Sequence, residues 1–310
     1  MHRLIFNQGD ASESRIYYCA HYLADSLGLF AAEQLQVTFT TSASGGHTVQ
    51  GGQVPAVLNR EADLTLGGPM VVMKHYQQHG AELQCFCASV AANPWFLAAA
   101  KTQPDFQLND LRGRRVLDVG NVGNVGTATL TFRWLLAQHG LLDQVELIAG
   151  SGDQARDFAA VASGEADYAL HAMHMLAPAI AAGQLSSISS LASLCGNVPW
   201  SAYIARADVL TEKAAAFAAF SRAIKQALVW IATHDAETLA ASVQRYYPDY
   251  PLDALVTGLA AYQQAHVFAL SGLIPADEFD HFSQLLGAIG WLDPSQPVPY
   301  GALVTQAGAE

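Results

Sequence analysis

The sequence predicts an α/β protein of two lobes, each built on a mostly parallel sheet with helices on its faces. Three observations carry this expectation. Short, β-rich apolar runs alternate with helical periodicity through roughly the first two-thirds of the chain, an alternation that builds parallel sheets covered by helices. Two stretches, Ala92-Asn93-Pro94-Trp95 and Asn197-Val198-Pro199-Trp200, each set an Asn, a Pro and a Trp ahead of an apolar strand. Their likeness suggests paired linkers around an inserted lobe, the alternative being two ordinary loops. The last third of the chain is almost wholly helical and needs a sheet to pack on, most simply that of the first lobe. The expected division is 1–94 and 202–310 for one lobe, with 97–197 as the other.

The strands of the first lobe are expected at 4–7, 37–41, 63–68 and 85–91. Between the first two, Cys19, Leu23, Leu27 and Phe30 are spaced four, four and three apart, which puts them on one face of one helix. Gly67-Gly68-Pro69 closes the third strand and opens a helix with Pro in its first turn. The inserted lobe is expected to place strands at 95–100, 115–120, 145–150, 167–171 and 188–194, and to start a helix near Thr127. From Leu210 to Gly290 the pattern is helical, interrupted at Tyr247-Pro248, Tyr250-Pro251 and Ser271-Gly272.

Composition narrows the function. A chain of 310 residues buries about 75% of its unfolded surface without disulfide or metal staples. The net charge of −12, from 15 basic against 27 acidic residues, argues against nucleic acid and against a polybasic membrane anchor. An anionic ligand would have to be held by backbone amides and a few placed side chains. Cys19, Cys85, Cys87 and Cys195 do not space as a disulfide framework and read as buried thiols. No apolar run reaches about 18 residues without polar interruption, so no membrane span is expected. The first strand begins almost at Met1, so no signal peptide is read. The expected location is periplasmic if a leader has been removed and cytoplasmic otherwise, and the expected state is a monomer.

The sharpest local feature is DVGNVGNVGTATLTFRWLL, in which a strand ends at Gly120 and a Gly-rich loop leads into a helix. Glycines let a ligand approach the backbone, and a helix start offers unpaired amides to an anion or carbonyl. Thr127 and Thr129 add hydroxyl donors. A structural turn and a dinucleotide site are the alternatives. The spacing Gly120, Gly123, Gly126 is not G-x-G-x-x-G, and no acid ends the next strand. In the first lobe, Thr41-Ser42-Ala43-Ser44-Gly45-Gly46-His47 and Gly67-Gly68-Pro69 follow strands, where open α/β sheets bind ligands, although tight turns use the same residues. His171 and His174 could join His47 in a three-histidine metal site. Yet His47 belongs to the other lobe and no acid or Cys accompanies them, so neither metal nor cofactor is expected. A ligand hydrogen bond or plain packing explains each histidine as well. Tyr17, Tyr18, Trp95 and Trp200 lie beside loops, where they can stack on a planar ligand or pack the core. The chain has no G-x-S-x-G elbow and no telling pair of carboxylates. Cys19 could be a nucleophile only with a base nearby.

Several of these runs carry a resemblance. YYCAHYLADSLGLFAAEQLQVTFTTSASGG resembles the first helix and second strand of type II periplasmic binding proteins, nearest the branch for nitrate, sulfonates, taurine and thiamine pyrimidine precursors. ADLTLGGP, DLRGRRVLDVGNVGNVGTA and SGEADYAL resemble the same group, in the right order. The resemblance implies a venus-flytrap fold that closes over one small organic or anionic ligand without turning it over, usually for import through an ABC transporter permease. It places the ligand shell at Tyr17, Tyr18, Ser44, Gly45, Gly46, Gly68, Trp95, Asn121, Gly126, Thr127, His171 and Trp200, beside His47 and His174 from the reading above. The family also contains cytoplasmic enzymes. Against a thiamine pyrimidine synthase, Gly67-Gly68-Pro69-Met70 lacks the expected Lys, and Cys85-Phe86-Cys87 only faintly resembles its iron-binding cysteine run. A desulfinase would use Cys19 as nucleophile, with His47 near it.

Overall fold

The computed structural model describes residues 1–10, 15–42, 53–122 and 125–306. In chain order its strands are β1 (His2–Asn7), β2 (Leu35–Thr40), β3 (Leu64–Gly67), β4 (Leu83–Val90), β5 (Trp95–Ala99), β6 (Arg115–Asp118), β7 (Glu146–Ala149), β8 (Tyr168–Ala172), β9 (Ser186–Ser190) and β10 (Ser201–Arg206). They form two five-stranded sheets, ordered β2-β1-β3-β10-β4 and β7-β6-β8-β5-β9. In the first, β1 pairs in parallel with β2 and β3, while β10 runs antiparallel to both β3 and β4. The second repeats this scheme. There β6 is parallel to β7 and β8, and β5 is antiparallel to β8 and β9. Each sheet is therefore mostly parallel with one reversed strand. The reversed strands are the two that directly follow the Asn, Pro and Trp stretches. A parallel neighbour needs a crossover helix, whereas a strand arriving from the other sheet has none.

The chain divides into two compact units. One comprises Met1–Ala91, Asn197–Pro248 and Phe268–Glu310, the other Ala92–Gly196 and Asp249–Val267. The last segment departs from the expectation that 202–310 returns entirely to the first lobe. Its helix Leu252–Gln264 packs along the helix Met173–Ala181 of the second unit. The helical pattern over this region is borne out, and the helix buries Ala254, Leu255, Leu259 and Tyr262. The pattern carries no information about which neighbour covers them.

In the first unit the helix Ala214–Thr233 lies over the sheet and buries Phe217, Phe220 and Ile224. Phe86 meets Phe217 edge-on at 4.9 Å between ring centres, and Tyr203 meets Phe220 at 4.8 Å. This 20-residue helix is long and apolar enough to cross a membrane by length and composition alone. Its pattern is that of a core helix, since Arg222 and Lys225 lie on the exposed side opposite the buried face. In the second unit Leu97, Val116, Phe132, Leu135, Leu136 and Leu170 form the centre of the core. Truncating a buried Phe such as Phe132 to Ala would cost about 3–5 kcal/mol.

Two local expectations are corrected. Cys19, Leu23, Leu27 and Phe30 do not share one helix. Helix Ala20–Ser26 stops, Gly28 takes a left-handed conformation at φ 69°, and a second helix runs over Leu29–Ala32. Leu27 falls at the break and is 40% exposed, whereas the other three are buried. The strand expected at 188–194 ends at Ser190. The Ser190 hydroxyl accepts a bond from the Ala192 amide, capping the helix Leu191–Cys195 and turning the chain out of the sheet.

Candidate functional site

In the second unit, the carboxyl ends of β6 and β8 and the start of β5 bring several of the expected residues together. The Trp95 amide donates to Asn93 Oδ1 at 3.0 Å, which fixes the entry of β5. The indole then stacks on the His171 ring, with centroids 5.0 Å apart and planes 24° from parallel. The ring also lies against the backbone of Gly120. A Cβ at that position would sit 2.4 Å from the indole, so the close approach itself requires glycine.

His171 is held in one tautomer. Its Nδ1 accepts the Ala172 amide at 2.7 Å, so the ring proton of the neutral imidazole sits on Nε2. Burial lowers its pKa to about 4. His171 is thus neutral at physiological pH and offers Nε2–H as a donor rather than acting as a base.

The loop after β6 is tied back by backbone bonds. The Asn121 amide donates to the Asp118 carbonyl, and the Gly150 amide is shared by the carbonyls of Asp118 and Asn121, each at 3.0 Å. Helix Thr127–Gln138 then begins from an extended Gly126, with no capping side chain and no acid in its first turn. A helix start of this kind leaves backbone donors for a ligand oxygen.

Asp118 is a residue the sequence reading passed over. Its side chain is buried, and neither carboxylate oxygen has a hydrogen-bond partner among the described residues. Burial pushes its pKa up to about 6, while the neighbouring Thr129 hydroxyl pulls it down without reaching hydrogen-bond geometry. The contrast with Asp157 is instructive. That buried carboxylate receives the Ser151 amide on both oxygens, at 3.1 and 3.0 Å. The available signal for Asp118 was an acid two residues beyond Val116 on the same, core-facing side of a strand.

His174 has a different role from His171, although the rings are only 6.5 Å apart. It is buried, its amide donates to the Tyr262 hydroxyl at 3.0 Å, and its carbonyl accepts from the Tyr250 hydroxyl. Both tyrosines come from the 249–267 segment, so His174 marks where that segment clamps the turn after β8.

In the first unit, Asn7 ends β1 with its amide donating to Ser42 Oγ at 2.7 Å and its Oδ1 accepting from the Gly9 amide at 2.9 Å. Gln53 donates to the Leu66 carbonyl at 2.9 Å, bracing the end of β3. These strand-end amides were not singled out from the sequence; Gln53 lies against Gly9, and the backbone of Gly68 approaches the Trp200 carbonyl. The Trp200 ring is buried next to Phe282, and Tyr17 is buried edge-on to Tyr18. The Tyr18 hydroxyl lies 3.1 Å from Ser201 Oγ. Ser44, Gly45, Gly46 and His47 lie outside the described residues.

Cys19 is fully buried, and desolvation pushes its thiol far above the ordinary range. All four cysteines are free and buried. Among the described residues no three His, Cys, Asp or Glu side chains are placed to hold a metal ion.

A family model described as NMT1/THI5 like matches residues 16–238. A candidate binding protein of Bacillus subtilis strain 168, YtlA, is 23% identical over 304 residues, spanning 95% of this chain and 86% of its own. The periplasmic aliphatic sulphonate binding protein SsuA of Escherichia coli superposes with a TM-score of 0.67 at 15% identity, over 99% of this chain and 92% of that one. A mutant of DSZB in complex with biphenyl-2-sulfinic acid superposes at 0.68 with 14% identity, over 99% and 97%.

Proposed function

This chain belongs to the NMT1/THI5-like family, and from that premise we propose that it is a solute-binding protein that holds one small organic or anionic ligand without turning it over. The observation that carries this reading is the strand-end constellation of the second unit. A tryptophan stacks on His171 and meets Gly120 at the edge of its ring, and the loop after Gly120 leads to a helix start with no capping side chain. Such a set offers a flat apolar surface, one oriented N–H donor and backbone donors for an oxygen, all of them suited to binding. In the first unit, Cys19, the nucleophile a desulfinase would use, is buried as a neutral thiol. Its role is delivery of the ligand to an ABC-type permease, with the periplasm as its place of action, in keeping with the sulphonate-binding protein whose fold it shares.

A thermal-shift and calorimetric screen of sulfonates, nitrate, pyrimidines and small aromatic acids tests the reading. One compound is expected to stabilise the protein by about 2.7 kcal/mol at a concentration ~100 times its dissociation constant. His171→Ala is expected to weaken that compound by about tenfold, the loss of one buried hydrogen bond. Because His171 stays neutral above its lowered pKa of about 4, affinity should be level from pH 5 to 8 as far as this residue is concerned. Recovery of the compound chemically changed, or the absence of any stabilising compound, would overturn the proposal.

A further inference from the structure

A second candidate site lies at the opposite end of the second sheet, where β6 and β8 begin. The segment Leu111-Arg112-Gly113-Arg114-Arg115 carries three of the 15 basic residues of an otherwise acidic chain. Gly113, at φ 73°, makes the turn that sets Arg112 and Arg114 on either side of it, and its amide is anchored on the Gln144 carbonyl. The turn borders a cleft of about 450 Å³ lined by polar side chains, among them Gln103, Asn109, Arg112, Arg114 and Tyr168.

The charges in this cleft are unevenly spent. Asp167 is taken by Arg115, through both its backbone amide at 2.8 Å and its Nε at 3.2 Å, with Arg114 only at 3.6 Å. Asp110 is engaged by the Gln107 amide at 2.8 Å. The Arg112 guanidinium makes no hydrogen bond or ion pair among the described residues, and Arg114 keeps most of its donors. The lining itself sets Arg112 and Arg114 against Asp110 and Asp167, and because Asp167 is bonded by Arg115 from beside the cleft, the donors of Arg112 and most of those of Arg114 stay open to a ligand. The Tyr168 hydroxyl donates to Gln103 Oε1 at 2.8 Å, so the Gln103 amide is turned with its NH₂ as the remaining donor. Guanidinium forks and amide donors converging on a cleft of this size match an ion with several oxygens.

We propose that this cleft binds a small multivalent oxyanion, of the phosphoryl or polycarboxylate class, independently of the ligand held at the other end of the sheet. The test is calorimetric titration of the intact protein with inorganic diphosphate in one arm and citrate in the other, at low ionic strength. At least one should bind saturably at a single site, and which one identifies the source of the oxyanion chemistry. Arg112→Gln, which breaks no intramolecular bond, should weaken it by about tenfold with an unchanged melting temperature in the absence of the ion. Arg133→Gln removes the same charge from an exposed position on the helix Thr127–Gln138 and should change affinity less than twofold. Failure of both ions to saturate, or equal weakening by the two substitutions, overturns the proposal.

Discussion

Replacing Asp118 with Asn should make the protein more stable at neutral and alkaline pH, and hardly change it in acid. The carboxyl is buried without a hydrogen-bond partner among the described residues, and its pKa is raised from 3.8 to about 6. A raised carboxyl means that the folded state holds the proton more tightly than the unfolded chain. Below 3.8 both states carry the proton and no penalty exists. Between 3.8 and 6 the penalty grows, and above 6 it is complete. Raising the carboxyl from 3.8 to about 6 corresponds to about 3 kcal/mol at pH 8. Asn has nearly the same shape and no charge at any pH, so Asp118→Asn removes that term alone. At roughly 3 °C per kcal/mol for a unit of this size, the variant should melt about 9 °C above wild type at pH 8. At pH 4 the two should nearly coincide. Scanning fluorimetry across that range makes the comparison. A difference in melting temperature that stays flat with pH, or favours the wild type at pH 8, would show that the carboxylate is solvated or paired and would refute the argument.

Two further outcomes follow from single residues. Cys19 should resist iodoacetamide at neutral pH in the folded protein while reacting once it is unfolded, and Cys19→Ser should leave ligand affinity within a few fold; rapid alkylation that ligand blocks would instead mark an active nucleophile. Tyr262→Phe should destabilise the second unit by about 1–3 kcal/mol, because the buried His174 amide loses this acceptor, and hydrogen exchange at His174 should rise. Unchanged exchange there would mean that the clamp is not built on this bond.

Much of the architecture was legible because it rests on local pattern. Alternating apolar runs marked the strands, and Pro69 marked the helix start after β3, whereas the cap at Ser190 reads from sequence as continuing strand. What stayed hidden depends on distant partners. The spacing of Cys19, Leu23, Leu27 and Phe30 reads as one helix because it counts apolar positions alone, while the left-handed Gly28 ends the helix. Asp118 went unnoticed because a strand-end acid usually finds water or a donor. Here the side chain is buried and finds no donor among the described residues.

The two histidines at the end of β8 and just after it show where the limit falls. His171 and His174 are three residues apart and share residue type, setting and expected role. What separates them is set elsewhere in the chain. His171 meets Trp95 because β5 pairs antiparallel with β8, which sets Trp95 opposite Ala172 at the end of the pair, where its ring stacks on that of His171. His174 meets Tyr262, 88 residues further on, because the segment after Pro248 joins the second unit instead of the first. Had that helix returned to the first unit, Tyr250 and Tyr262 would not be there to engage the turn. The position of Leu252–Gln264 therefore decides that His174 is tied into the fold, while His171, on the sheet, is left neutral with its ring proton on Nε2.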